Sequence, residues 1–344
     1  MTNFTNYPQA DQIMKLIDSS SKILIVQPDN PDGDSLGSAL AMEQILMQLD
    51  KETEMICGIK IPSYLAYLPG WDRVTQEITM DYDLAILLDT SSLSLIDNLI
   101  RNPSQNRLRK KPLIIIDHHS TPSDIDFATI SLVDPLAAAT SQVIYNLSKQ
   151  LDLELNIVAK NALVASILSD TLGLSTENVN TQTINTIAEL VEGGVSLAAL
   201  ESTRRSFMHK SPELVHYKGQ LLQRINYFYN DRIAVLTIPW PEIERYSPLY
   251  NPSMLVLDDM RLTTGTAIAI VFKIYSQGKI TVKIRTNHGF PIAAKLAENF
   301  GGGGHEYASG FKINDSRDAN QLTNQVISKA TELLNNEDLL DASL

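Results

Sequence analysis

The first half of the chain is punctuated by short apolar runs. KILIV (22–26), TEMIC (53–57), LAILL (84–88), LIII (113–116) and the stretch 127–133 are rich in Leu and β-branched residues. Runs of this length, largely apolar on both alternations, predict strands buried on two faces, the pattern of a parallel sheet. Between and after them the period lengthens to that of a helix. Leu36, Leu40, Ile45, Leu46 and Leu49 mark one over 35–49, and further helical patterns cover 140–150, 158–168 and 182–192, where Gly193-Gly194 gives a stop. The segment 198–229 reads as polar-faced helix. From Arg232 a second set of strands begins, at 233–238, 267–275 and 280–285, with a turn at Gln277-Gly278. A helix over 291–299 runs into Gly301-Gly302-Gly303-Gly304-His305, and a last helix is predicted over 319–334. The pattern predicts an α/β protein: a parallel-sheet domain over 1–197, a helical connector over 198–230, and a smaller mixed-sheet α/β domain over 231–344.

The chain's 344 residues suit two cores, and its 44% apolar and 20% charged content is ordinary for a globular protein. No stretch approaches the roughly 18–20 continuous apolar residues of a membrane span. The start, MTNFTNYPQADQIMK, lacks a basic region followed by an apolar core, so no secretory leader is expected. The single cysteine, Cys57, excludes an intrachain disulfide framework and points to a reducing, cytoplasmic setting. A net charge of −12 argues against capture of long duplex nucleic acid and favours short or terminal phosphate substrates, gripped locally.

Chemistry enters at the ends of the apolar runs. The first is followed by Asp32 and Asp34, the third ends in Asp89, and the fourth ends in Asp117-His118-His119. In an open α/β sheet, ligand groups gather where the carboxyl ends of the strands open into a crevice. An isolated strand-end aspartate is often a helix cap. Several of them arriving at one sheet edge beside paired histidines instead call for a cation. Carboxylates mixed with imidazole suit Mn²⁺ or Mg²⁺, and two such ions about 3.5–4 Å apart can stabilise an in-line displacement at phosphorus.

Taken in order, NPDGDSLGS, LLDTS, DHH, the Ser169-Asp170-Thr171 triplet and FGGGGHEYASG (300–310) resemble the DHH phosphoesterases and their DHH-associated C-terminal domain over roughly residues 10–335. The length is most similar to the oligoribonuclease and pAp-phosphatase (nanoRNase) branch. The resemblance implies metal ligands at Asp32, Asp34, Asp89, His118 and Asp170, with Asp89 bridging two divalent ions, usually Mn²⁺. Asp117 would orient the histidines and His119 would meet the scissile phosphate. Arg285, Gly302, Gly303, Gly304 and His305 would bind substrate phosphate, the glycines through an anion-binding nest and Arg285 through its guanidinium fork. The substrates implied are short oligonucleotides, with pAp as a further phosphatase substrate, in a cleft between the domains. A homodimer is allowed. Cyclic dinucleotides, a RecJ-like action on single strands, and a nucleotide-binding module without catalysis are the competing readings. One departure stands out: the family's first histidine, four residues before Asp32, is Pro28 here. The first ion is therefore expected to bind more weakly, or through oxygen ligands and water.

Overall fold

The computed structural model describes residues 4–101, 107–120, 122–276, 278–315 and 318–341. The chain forms two compact units, 1–209 and 210–344. The first contains α1 (Ala10–Asp18), β1 (Lys22–Gln27), α2 (Gly33–Gln48), β2 (Glu52–Cys57), β3 (Leu84–Leu88), α3 (Asp97–Arg101), β4 (Leu113–Asp117), β5 (Ile130–Val133), α4 (Thr140–Gln150), α5 (Ile157–Asp170), α6 (Thr181–Glu192) and α7 (Leu197–Phe207). The second contains α8 (Pro212–Leu222), β6 (Asn226–Phe228), β7 (Ile233–Ile238), α9 (Trp240–Tyr246), α10 (Leu257–Arg261), β8 (Ile268–Ile274), β9 (Ile280–Thr286), α11 (Ala293–Glu298), β10 (Gly303–His305), β11 (Ala308–Ile313) and α12 (Ala319–Asp341). The stretch 198–230 is thus divided: α7 packs in the first unit, α8 in the second, and its end is strand β6.

The five strands of the first sheet run parallel in the order β2-β1-β3-β4-β5. Strand order reverses at β1, so its crevice opens between the carboxyl ends of β1 and β3. Alternate residues of β1 serve two cores, with Ile23 and Ile25 facing Leu36, Leu40 and Leu163, and Leu24 and Val26 facing Tyr82, Leu99 and Ile115. Double coverage explains the unbroken apolar runs. The tightest helix pairing joins α2 to α5. A Cβ on Gly37 would stand 2.6 Å from the Ser166 Cβ and 2.9 Å from the Ala162 carbonyl oxygen. Glycine at this position lets the two helices meet backbone to backbone, which carries Asp170, at the end of α5, to the start of α2.

The second sheet is mixed, in the order β10-β11-β9-β8-β7-β6, and only β7–β8 is parallel. One face packs Ile268, Ile270, Phe272 and Ile284 against Leu296, Leu322 and Val326 of α11 and α12. The other covers Ala234, Leu236, Ala269 and Val271 with Leu214, Tyr217, Ile243 and Met260 from α8, α9 and α10. No helix among the described residues is long and apolar enough to cross a membrane.

Candidate active site

The loop after β1 and the start of α2 fix the first two aspartates. Asp32 is the N-cap of α2: its Oδ1 accepts from the Asp34 and Ser35 amides at 3.0 Å each, and Ser35 Oγ returns the bond to the Asp32 amide. Asp34, the second residue of the helix, is buried. Helix α4 lacks a side-chain cap of its own at Ala139. Its first amides turn to Asp34 instead, Thr140 at 2.7 Å to Oδ2 and Ser141 at 3.3 Å to Oδ1. Ser38 and Ser166 hydroxyls complete the set at 3.2 and 2.5 Å. Four donors therefore orient one carboxylate before any ligand is considered.

Asp89 follows β3 in the left-handed region, with φ of 62°. Its amide reaches the Ile116 carbonyl of β4 at 3.0 Å, and the Thr140 hydroxyl donates to its Oδ1 at 2.9 Å. His118, at the end of β4, aims Nε2 into the cluster: Asp34 lies at 3.7 Å, Asp89 at 3.7 Å and Asp170 at 3.6 Å. Its other nitrogen, Nδ1, is 3.3 Å from the Ala137 carbonyl, a contact that fixes the proton there and leaves the Nε2 lone pair for the site. Asp117, fully buried, accepts the backbone amides of His118 and His119 at 2.8 and 3.2 Å. It also meets His119 Nδ1 at 2.7 Å, and the two imidazoles lie 4.6 Å apart.

The electrostatics follow from crowding. Burial, then the charges of Asp34 and Asp32, push Asp89 well above the carboxylate range. Burial and Asp34 raise Asp170 to about 6. The protein around Asp32 raises its carboxyl, with Asp34 adding to the effect. Burial acts in the same direction on Asp117 and is the largest single influence, but the ring bond, charge and backbone amide of His119 together with Ser91 outweigh it and hold this carboxyl low. His119 is raised in turn, chiefly by that bond.

Two sets of three residues each bring one ligand atom within 4.8 Å of one another: Asp34, His118 and Asp170, and Asp89, His118 and His119. Hard carboxylate oxygens with imidazole nitrogen are a donor set that fits a divalent ion such as Mn²⁺ or Mg²⁺. Asp32 belongs to neither set, its Oδ1 being engaged in capping. Pro28 is buried, and its carbonyl accepts from the Cys57 thiol at 3.2 Å. Burial pushes that thiol up to about 11.

The remaining candidates lie in the second unit. Arg285 is on β9, half-buried, and its Nη1 donates to the Ile284 carbonyl at 2.9 Å. Ala308 of β11 stands in register with Arg285 on one side and His305 on the other, so those two positions align across three strands. The side chain of His305 lies outside the described residues. Gly303 and Gly304 form the edge strand β10, paired with Gly310 and Ser309. Gly304 has φ of 142°, and a Cβ there would come within 2.6 Å of the Ala308 carbonyl. Close strand pairing accounts for this glycine by itself. Gly302 is likewise shut in, 2.3 Å from the Gly310 carbonyl for an added Cβ.

Sequence reasoning missed Thr140, Ser38 and Ser166, which hold Asp34 and Asp89. For Thr140 the visible signal is the small-residue run Ala137-Ala138-Ala139-Thr140-Ser141, a helix start without a capping side chain.

Comparison with known proteins accords with this geometry. The chain is 26% identical to the bifunctional oligoribonuclease and PAP phosphatase NrnA of Bacillus subtilis, over 90% of this chain and 95% of that protein. It is also 26% identical to the NrnA of Thermus thermophilus, over 94% and 93%. A crystal structure of an exopolyphosphatase-related protein from Bacteroides fragilis shares the fold, with TM-score 0.84 and 22% identity over 99% of this chain and 100% of that one. Residues 22–169 match the DHH family, N-terminal domain, and residues 253–333 match the DHHA1 domain, so the chain carries both of these domains in that order.

Proposed function

We propose that the protein is a metal-dependent phosphodiesterase that hydrolyses short oligonucleotides to nucleoside 5′-monophosphates and also removes the 3′-phosphate of pAp. The observation that carries this reading is the convergence of Asp34, Asp89, His118 and Asp170 around one point at the carboxyl edge of the first sheet. The names of the two NrnA relatives supply the substrate class.

Asp34, Asp89, His118 and Asp170 would hold one divalent ion, and Asp32 with Asp89 a second, more weakly held one. When bound, such ions polarise a phosphoryl oxygen and lower the pKa of water. Mn²⁺ is the expected metal, with Mg²⁺ as substitute. His119 donates its Nδ1 proton to Asp117, and because that bond raises its pKa and favours the imidazolium, a second proton on Nε2 can be donated to a phosphate oxygen as charge grows there. Its side chain is 47% exposed, against 11% for His118, which fits a substrate-facing role for the first and a ligand role for the second. Arg285, Gly302, Gly303, Gly304 and His305 bind the substrate's phosphate or terminal nucleotide.

The test is steady-state hydrolysis of pApA and of pAp with Mn²⁺, set beside a length series. Release of AMP from both, with activity falling beyond a few nucleotides, is the expected result. Binding of dinucleotide without turnover would overturn the reading in favour of a binding module. Metal content at saturating Mn²⁺ checks the second ion: two equally tight ions per chain would refute the weakened position at Pro28.

A further inference from the structure

We propose that the face of β9 carrying Arg285 continues into a nucleotide track, in which Lys283 and Lys273 take further phosphates and the cleft lined by Trp240 and Tyr275 takes a base. This rests on the phosphodiesterase reading above and adds to it a means of holding a chain longer than a dinucleotide.

Strand alternation sets the row. Thr281, Lys283 and Arg285 share one face of β9, opposite the buried Ile280, Val282 and Ile284. Across the ladder, Arg285 stands against Ala269, Lys283 against Val271 and Thr281 against Lys273. The cations therefore succeed one another as Arg285, Lys283 and Lys273, at about 6.6 Å per two residues along the strand, a run of about 13 Å that outreaches a single phosphate. On the other side, Ala308 and Gly310 of β11 are in register with Arg285 and Lys283. Neither carries a side chain long enough to cover the row.

Charge is left over here. Elsewhere the arginines find partners: Arg73 pairs with Glu43, Arg204 and Arg205 with Glu201, Arg224 with Glu242 and Arg245 with Glu213. Among the described residues, no carboxylate comes within ion-pair distance of Lys273, Lys283 or Arg285. Lys283 Nζ has only the weak acceptor Met254 Sδ at 3.7 Å. Burial, then repulsion from Lys273 and Arg285, lower its ammonium to about 8. Arg261, whose charge bears on Arg285, has a buried Nε without a hydrogen-bond partner and a long ion pair, at 4.0 Å, with Asp258, whose charge reaches Arg285 as well. In a chain of net charge −12, partly buried cations that share Asp258 as counter-ion, with Lys273 and Lys283 left without an ion pair among the described residues, mark the place for a polyanion.

The row ends at an aromatic cleft. Trp240 and Tyr275 lie 5.9 Å apart, tilted by 40°, on a cavity of about 570 Å³ also lined by Ser247, Asn251, Glu244 and Lys273. Lys273 belongs to row and cleft alike, and its Nζ stands 5.9 Å from the Tyr275 ring, with Lys279 at 5.4 Å. Aromatic faces accept any base by stacking, the Asn251 amide and Ser247 hydroxyl offer hydrogen bonds to a base edge, and cations beside the rings hold the linking phosphates. Glu244 adds an acceptor for an exocyclic amine.

The experiment compares KM for a ribo-dinucleotide and a ribo-pentanucleotide, with Mn²⁺, in the native enzyme, Lys273→Ala and Trp240→Leu. The pentamer is expected to show a KM on the order of tenfold below that of the dimer, and each variant to erase most of that ratio. A second readout needs no turnover. In a Trp71→Phe, Asp89→Asn protein, Trp240 is the sole tryptophan, and its fluorescence should be quenched saturably by the pentamer and far less by the dimer. If the native enzyme cleaves the dimer but the ratio survives both substitutions and Trp240 does not respond, the track is wrong and the hydrolase reading stands. If the native enzyme cleaves neither oligomer, that reading falls, and quenching alone then decides the track: its presence supports the proposal, and its absence overturns it.

Discussion

The two sheets carry opposite surpluses of charge and fix them by different means. At the edge of the first, carboxylates are buried, and backbone amides and hydroxyls orient them: the start of α4 and two serines for Asp34, Thr140 for Asp89. On the second, cations stand two residues apart along β9, set in place by strand alternation alone and held by almost nothing. The contrast teaches how each side is specialised. A cation pocket works only if its ligands converge to within tenths of an ångström, so it draws on helix ends and strand ends from distant parts of the chain. A polyanion rail needs only spacing, which one strand provides.

The comparison can be broken hardest at Asp89. Asp89→Asn keeps the left-handed backbone, which asparagine tolerates, and removes the carboxylate charge of the set formed with His118 and His119. Turnover should fall by about a thousandfold or more with circular dichroism unchanged. Retained Mn²⁺-dependent activity would defeat the assignment of this edge as the reaction centre. Next in size, Gly37→Leu wedges α2 from α5 and should destabilise the first unit by about 2–3 kcal/mol, lowering its melting temperature and separating Asp170 from Asp34. A similar insertion at the exposed Gly219 of α8, which has nothing near its Cβ position, should leave melting nearly untouched.

Smaller effects sharpen the contrast. Pro28→His restores a nitrogen ligand where the family has one, and calorimetry should show the weaker Mn²⁺ binding tighten by about tenfold. An unchanged binding isotherm would mean that Pro28 is no handicap. Last, raising salt from about 50 to 200 mM should lift KM for oligonucleotides several-fold, because the cations of β9 are partly open to solvent. Mn²⁺ affinity should move much less, its ligands being buried. Equal salt dependence of the two would erase the distinction between pocket and rail.

Much of this was legible in the sequence, for definable reasons. The strand Leu84–Leu88 ends where its apolar run ends, because burial on both faces leaves no room for a polar residue. The order of strand-end aspartates and histidines gave away the edge of the first sheet. Helix α1 was not read, since only Ala10, Ile13 and Ile17 are buried in a polar segment. Nor was β11, whose alternation is blurred by Gly310 and by short side chains. Gly303 and Gly304 were not read as a strand but form an edge strand, because local glycine content reports freedom of the backbone and says nothing of its pairing. Thr140 and Ser166 were invisible for a different reason. Their contacts with Asp34 and Asp89 span 51 to 132 residues, and only the packing of α4 and α5 against α2 creates them.

The missing cap at Ala139 has a further meaning. By leaving α4 open at its start, the fold directs the positive end of a helix, worth roughly half an elementary charge, into the heart of the acidic group. That half charge cannot dissociate or be chelated. It acts as a permanent understudy for the ion, so stripping the metal is expected to silence the enzyme while its first unit keeps its shape.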